Sequence, residues 1–264
     1  MGNYKSTNPS ITDGLFAEND SLFSRTTLLI GSDATKRLSE IRVILFGVGG
    51  VGSWCAESLI RTGIRHLTIV DSDTIHISNI NRQLPATMQT IGQPKVEILK
   101  SRLSAINPDA HIAAIQRFYD AETAESFDLS SYHYIIDAID SLESKAHLIN
   151  TATRTSATFF SSMGAALKMN PSKIQVAEFW KVRGCPLAAA LRRKFKKDMP
   201  PANKFLCVFS DELLENKDVS NTQSESDNDD RKARINGSLV HITAIFGFTL
   251  AGLVIQDISG GRRN

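Results

Sequence analysis

The stretch from Arg42 to Asp71 constrains this chain more than any other. Val43-Ile44-Leu45-Phe46 is an unbroken apolar run, the pattern of a strand buried on both faces. It ends at Gly47-Val48-Gly49-Gly50-Val51-Gly52. Ser53 to Thr62 then carries Ala56, Leu59 and Ile60 on one helical face, with Gly63 at the C-cap. His66-Leu67-Thr68-Ile69-Val70 is a second buried strand, closed by Asp71. Such a strand–helix–strand unit places its two strands parallel in one sheet.

The unit then recurs. A helix is predicted from Gln93 to Ile106, a strand at His111 to Ile115 and a helix near Ala121 to Phe127. A strand at Tyr134 to Ala138, a helix from Ser144 to Arg154 and a strand near Thr158 to Ser161 follow. This alternation predicts an α/β fold, a Rossmann-like doubly wound and mostly parallel sheet. Beyond Met163 a strand (Lys173 to Phe179), a helix (Pro186 to Lys197) and a short strand (Leu206 to Phe209) form a C-terminal extension on the substrate side.

With 264 residues, 42% hydrophobic and 22% charged, the chain has the material for one such domain with an appendage. Residues 1–22 are expected to be a flexible N-terminal segment, residues 23–258 the domain, and the polar stretch 214–235 a mobile surface loop. Cys55, Cys185 and Cys207 are odd in number, far apart and without a Cys-x-x-Cys pair, so neither a disulfide framework nor a structural zinc site is expected. A cytoplasmic setting fits them. Met1 to Ser6 satisfies the loose myristoylation pattern, read here as chance. Residues 239–255 approach the length of a membrane span, but His241, Thr243, Thr249, Gly247 and Gly252 interrupt them, and a buried helix is the favoured reading over membrane association.

Glycines after a strand let a phosphate approach the amide groups of the next helix, and Asp71 stands where an acid binds ribose hydroxyls. A dehydrogenase would use the same parts. Downstream lie Asp71-Ser72-Asp73, Asn79-Ile80-Asn81-Arg82-Gln83, Gln93-Pro94-Lys95 and Asp137-Ala138-Ile139-Asp140-Ser141. Hydride transfer needs no such convergence of cations and acids on phosphates. Nucleotidyl transfer does, because charge grows on the α-phosphate and on the departing pyrophosphate.

On these motifs the chain resembles the superfamily of ubiquitin-activating enzymes and their bacterial relatives, which adenylate carboxylates with ATP. Gly52-Ser53-Trp54, Arg61-Thr62-Gly63-Ile64, Ile106-Asn107-Pro108, Pro186-Leu187-Ala188-Ala189, Cys207-Val208-Phe209-Ser210 and Phe246-Gly247-Phe248 resemble its tRNA threonylcarbamoyladenosine dehydratase branch. The resemblance runs from about Phe23 to Ile258. It implies ATP and magnesium, with Gly47, Gly49, Gly50 and Gly52 against the nucleotide, Asp71 holding the ribose, Asn79, Arg82 and Lys95 contacting phosphates, and Asp73 and Gln83 also among the nucleotide-binding residues. Asp140 and Ser141 lie by the phosphates, Asp140 as the magnesium ligand, and Arg82, Lys95 and Asp140 as catalytic groups. Arg25 matches an arginine that family dimers insert into the partner's site, and Cys207 is a candidate nucleophile.

The partner implied is tRNA with threonylcarbamoyladenosine next to the anticodon, not DNA. A homodimer, and a cysteine desulfurase or sulfur-acceptor system, complete the implied partners. Arg192-Arg193-Lys194, Lys196-Lys197, Lys204 and Arg231-Lys232-Arg234 are the basic residues on offer to tRNA, although such runs are often only solvated helix faces. The alternative within the superfamily is adenylation of the C-terminus of a ubiquitin-like sulfur carrier. A nucleotide-dependent sensor without chemistry is the alternative outside it.

Overall fold

The structure is a computed structural model that describes residues 21–217 and 236–260. The myristoylation pattern, Arg231, Lys232 and Arg234, nearly all of the N-terminal segment and most of the 214–235 loop lie outside the described residues. The elements run α1 (Ser24–Ile30), α2 (Ser32–Glu40), β1 (Arg42–Phe46), α3 (Gly52–Thr62), β2 (His66–Val70), α4 (Lys95–Ile106) and β3 (His111–Ile115). There follow β4 (Tyr134–Asp137), α5 (Leu142–Ala152), β5 (Thr158–Ser162), β6 (Ile174–Glu178), α6 (Pro186–Lys197), β7 (Leu206–Ser210) and α7 (Val240–Ile258).

The seven strands form one sheet in the order β3-β2-β1-β4-β5-β7-β6. Every neighbouring pair is parallel except β6 with β7. The doubly wound fold is therefore the observed one. Alternation along β1 shows why its residues are all apolar. Val43 and Leu45 face a core shared with α3, α4 and α7, while Ile44 and Phe46 face a second core shared with α5 and α6.

Besides α5, which is shifted two residues to Leu142–Ala152 from the expected Ser144 to Arg154, two helices depart from the sequence reading. α4 begins at Lys95 rather than Gln93, because Pro94 is extended (ψ 129°) and bridges Thr74. Residues near 121–127 make only a 3-10 turn, Ala124–Phe127, after which Asp128 enters the left-handed region at φ 41°. The Asp120 carboxylate accepts the Glu122 and Thr123 amides and so competes with a longer helix.

α7 has the length and composition of a membrane span, and about half of it is buried inside this fold. It packs across α3, with Ile242, Phe246, Leu250 and Val254 in the same core as Leu45 and Ile136. Trp54 and Phe248 meet edge to face at 5.8 Å where the helices cross. The crossing depends on Gly247, where an added Cβ would stand 2.4 Å from the Val51 carbonyl oxygen and 2.8 Å from the Cys55 nitrogen. At Gly252, five residues further on and on another face of the helix, a Cβ would meet nothing within 4 Å.

These two glycines of one helix predict opposite outcomes. Gly247→Ala should cost about 1–3 kcal/mol by forcing α7 off α3. Gly252→Ala should add about 0.5–1 kcal/mol through helix propensity. Urea denaturation of both variants measures the two signs.

Candidate nucleotide and catalytic site

β1 lies between β2 and β4, so the connections reverse direction there, and a crevice opens at the carboxyl ends of these strands. The glycine loop follows β1, Asp71 follows β2, and residues 138–141 follow β4. Three separate sequence motifs are thus brought to one edge.

The loop is drawn tight at its end, where a Cβ on Gly52 would stand 1.8 Å from the Gly47 carbonyl oxygen. Only glycine lets α3 start this close to β1. Asp71 holds the loop from the side: Oδ2 accepts the Val48 amide at 2.8 Å and Oδ1 accepts the Asp73 amide at 2.9 Å. Burial pushes the Asp71 carboxyl up, opposed by Lys95 and by these two amides. Each carboxylate oxygen keeps a lone pair, so Asp71 can brace the loop and still accept a ribose hydroxyl.

The Asn79–Gln83 segment is fastened to the same loop. Ser53 Oγ donates to the Gly49 carbonyl at 2.6 Å and accepts the Leu84 amide at 3.2 Å. Trp54 Nε1 donates to the Arg82 carbonyl at 3.1 Å. Asn79 is buried, its Oδ1 accepting the His76 amide. Arg82 is half-buried beside Gly50 and donates through Nη1 to the Ser78 carbonyl and to Asn81 Oδ1, both at 2.9 Å. The Gln83 amide lies against Gly49, and its buried Oε1 meets no partner among the described residues. Asn81 Nδ2 donates to the Ser238 carbonyl at 2.9 Å, which brings the start of α7 beside Arg82.

Lys95 is buried at the first turn of α4 and donates from Nζ to Asp73 Oδ2 at 2.7 Å. Asp140 is exposed beyond the carboxyl end of β4, and Ser141 takes the N-cap position of α5 without a side-chain hydrogen bond to it. Among the described residues no three His, Cys, Asp or Glu side chains converge as a metal cage. A single exposed carboxylate beside a phosphate site is a donor set that fits magnesium, which takes one or two carboxylates and completes its shell with phosphate oxygens and water. Arg25 is exposed on α1 among Leu22, Leu28 and Leu29, which are 63%, 87% and 86% exposed, and touches none of these groups.

Beneath the site lies an ion pair that composition does not reveal. Lys145 Nζ and Asp137 Oδ2 are 2.7 Å apart, both side chains fully buried. Lys145 also donates to the Ile139 carbonyl at 2.7 Å. Asp137 accepts the Ile139 amide and Ser161 Oγ, at 3.0 and 2.6 Å. The segment leading to Asp140 is therefore gripped at both polar groups of Ile139. Cys207 sits opposite Ser161 in the register of β5 and β7, fully buried. Burial pushes its thiol well above the ordinary value, with Lys145 acting in the opposite direction. A thiol so held supplies little thiolate, which sets its environment against a nucleophilic role.

Sequence reasoning named Asp71, Arg82, Lys95 and Asp140, which follow the strands at this end of the sheet, together with Arg25 and Cys207, which lie away from the loop. It missed the groups that fasten the segments: Ser53, Trp54, Lys145 and Ser161. Gly52-Ser53-Trp54 was visible only as a branch feature. Lys145 sits in an ordinary helical sequence and gave no signal.

Fold and site together define a nucleotide-binding α/β protein of the adenylating type, with cations gathered at a phosphate loop. The chain belongs to the ThiF family, whose model matches residues 23–264. It is 36% identical over 239 residues to the tRNA threonylcarbamoyladenosine dehydratase of Bacillus subtilis, covering 89% of this chain and 94% of that protein. Its structure is similar to that of the Escherichia coli tRNA N6-threonylcarbamoyladenosine dehydratase in complex with AMP, with a TM-score of 0.79 and 31% identity over 90% of this chain and 94% of that one. The ATP complex of the E. coli enzyme gives the same TM-score at 30% identity, over 92% and 96% of the two chains.

The buried pair predicts an asymmetry. Lys145→Met leaves Asp137 charged and unpaired and should cost about 3–5 kcal/mol. Adding Asp137→Asn to that variant removes the stranded charge and should return much of the loss. Denaturant unfolding of the single and double variants makes the comparison.

Proposed function

We propose that this chain catalyses the ATP-dependent dehydration of threonylcarbamoyladenosine in tRNA, giving the cyclic form through an acyl-adenylate. The observation that carries the reading is the gathering of Arg82, Lys95, Asp71 and Asp140 around a glycine loop in a chain 36% identical to a named dehydratase over nearly its whole length.

A carboxylate resists nucleophiles because it is charged and its leaving group is oxide. Its attack on the α-phosphate of ATP makes a mixed anhydride and releases pyrophosphate. The neighbouring carbamoyl nitrogen then attacks the acyl carbon, loses its proton and expels AMP, so one water is lost overall. Both groups sit on one side chain, so closure is intramolecular and the protein has only to hold and shield it.

In this reading the Gly47–Gly52 amides cradle the phosphates, and Asp71 takes the ribose with Asp73 beside it. Lys95 exchanges its Asp73 partner for a phosphate, and Arg82 turns from the Ser78 carbonyl to the leaving pyrophosphate. The buried Gln83 Oε1 finds its missing donor in the ligand, with Asn79 behind it. Asp140, with Ser141, holds magnesium, which when bound neutralises phosphate oxygens. A second copy of the chain contributes Arg25, a role supported by the exposed leucines of α1. The enzyme acts in the cytoplasm, as a ligase-type homodimer. Cys207 takes no covalent part, because burial keeps it a thiol.

Mass spectrometry of tRNA nucleosides after incubation with ATP tests this directly. The expected product has lost the mass of one water from threonylcarbamoyladenosine, with stoichiometric pyrophosphate. Arg82→Ala should slow the reaction about 100-fold or more, and Cys207→Ala should leave it within about threefold of wild type, since it removes no transition-state contact. Pyrophosphate exchange supported by a sulfur-carrier protein but not by tRNA would establish the alternative substrate instead.

A further inference from the structure

Charge is distributed unevenly along this chain. Residues 171–204 hold nine lysines and arginines against two acids, a net +7. The whole chain is +2, so everything else is −5. Folding does not scatter these cations. Phe179 stacks on Phe205 at 5.1 Å and meets Phe195 edge to face at 5.7 Å. All three rings are buried, and each has an exposed neighbour in sequence: Trp180, Lys204 and Lys196. Arg192 Nη1 donates to the Val182 carbonyl at 2.7 Å, which seats α6 against the turn flanked by Lys181 and Arg183.

The structure also sorts the basic run by role. Arg192 is occupied by that carbonyl, and Lys194 is paired with Glu143 at 2.8 Å and Asp198 at 3.5 Å. Lys181, Arg183, Arg193, Lys196 and Lys197 are exposed and make no hydrogen bond or ion pair among the described residues. Trp180 is 43% exposed beside them, its ring braced edge to face on Phe179 at 5.2 Å. The Lys194–Glu143 pair joins this surface to the first turn of α5, immediately after Asp140 and Ser141.

Lysines at a sheet edge also discourage strand pairing, and β6 is an edge strand. That accounts for Lys181 beside β6 and not for Arg193, Lys196 and Lys197 on a helix. Three unpaired cations, Arg193, Lys196 and Lys197, crowd the last turn of α6 within about 6 Å along its axis, a concentration of charge that suits a nucleic-acid backbone. An exposed, rigidly backed indole among them matches an unstacked base.

We propose that α6 and the Trp180–Arg183 turn form the surface on which the tRNA docks, with Arg193, Lys196 and Lys197 on phosphates and Trp180 stacked on a base. The proposal rests on tRNA being the substrate, and adds where and how it is held. The surface is carried by elements other than the glycine loop, and none of its residues is among those placed around ATP.

Binding of tRNA carrying threonylcarbamoyladenosine, titrated at several salt concentrations, provides the test. R193E/K196E/K197E should weaken tRNA binding about 10- to 100-fold near 0.1 M salt. The glutamine triple variant, free of introduced charge repulsion, should lower the slope of log Kd against log salt by about 2–3. Trp180→Ala should weaken binding about tenfold. In the wild type, tRNA should quench a fluorescence component that Trp180→Phe abolishes. ATP affinity and thermal midpoint should stay at wild-type values in every variant, which separates docking from folding. Wild-type tRNA binding that all these variants retain overturns the surface while leaving the substrate intact. A wild-type chain that binds no tRNA overturns the substrate reading and the surface with it.

Discussion

The first turn of α3 is the point from which the rest of the site is hung. Below it, Gly52 sits on the Gly47 carbonyl at a distance no side chain tolerates. Above it, Gly247 brings α7 onto the Val51 carbonyl and the Cys55 amide. Between these approaches, Ser53 and Trp54 reach sideways to Gly49, Leu84 and Arg82. One helix start therefore sets the phosphate loop, the segment bearing the arginine and the seat of the last helix. Backbone amides at a helix N-terminus attract anions only if they are held in place before the anion arrives. The packing of α3 between β1 and α7 provides that rigidity.

Two lysine–aspartate pairs at 2.7 Å serve different ends because their surroundings differ. Lys145 and Asp137 are both removed from water and carry further hydrogen bonds to Ile139 and Ser161. Desolvation makes such a pair a poor source of net stability and a strong constraint on geometry, since neither partner can leave the other. Lys95 is buried too, but Asp73 is 64% exposed. Asp73 can turn to water at small cost, so this pair can part where the fully buried one cannot. The fixed pair sits under the loop bearing Asp140, and the exchangeable pair faces the crevice.

How much of this was legible follows from the range of each signal. The strands β1, β2 and β4 announced themselves because burial on both faces leaves an apolar run, and α6 was read to its final residues. The helix expected at 121–127 failed because the side chain of Asp120 competes for amides that a helix needs, a contest that periodicity does not register. Arg82, Lys95 and Asp140 were legible as charges in motifs behind a glycine loop. Ser53, Lys145 and Ser161 were not, since a residue that works by gripping another backbone carries no mark until the chain is folded. Cys207 was legible as a candidate but its burial was not, since sequence gives burial only as an average for the residue type. The basic run at 192–197 was visible, but its division into structural and available cations required the partners Val182 and Glu143.

The sheet divides this chemistry between its two halves. From β3 to β4 the strands carry the loop, the acids and the lysine that any carboxylate adenylation calls for, on a part of the chain with excess negative charge. A cation added there for affinity alone, binding ground state and transition state alike, would lower KM without raising kcat. Beyond β5 the chain turns strongly basic, and β6 runs antiparallel to β7 to close the sheet. Cations placed on α6 attract a large polyanion without strengthening the grip on pyrophosphate, which must leave. If α6 docks the tRNA as proposed, the charge that sets substrate affinity is carried on a different element from the charge that sets turnover, with Lys194 and Glu143 linking α6 to the start of α5.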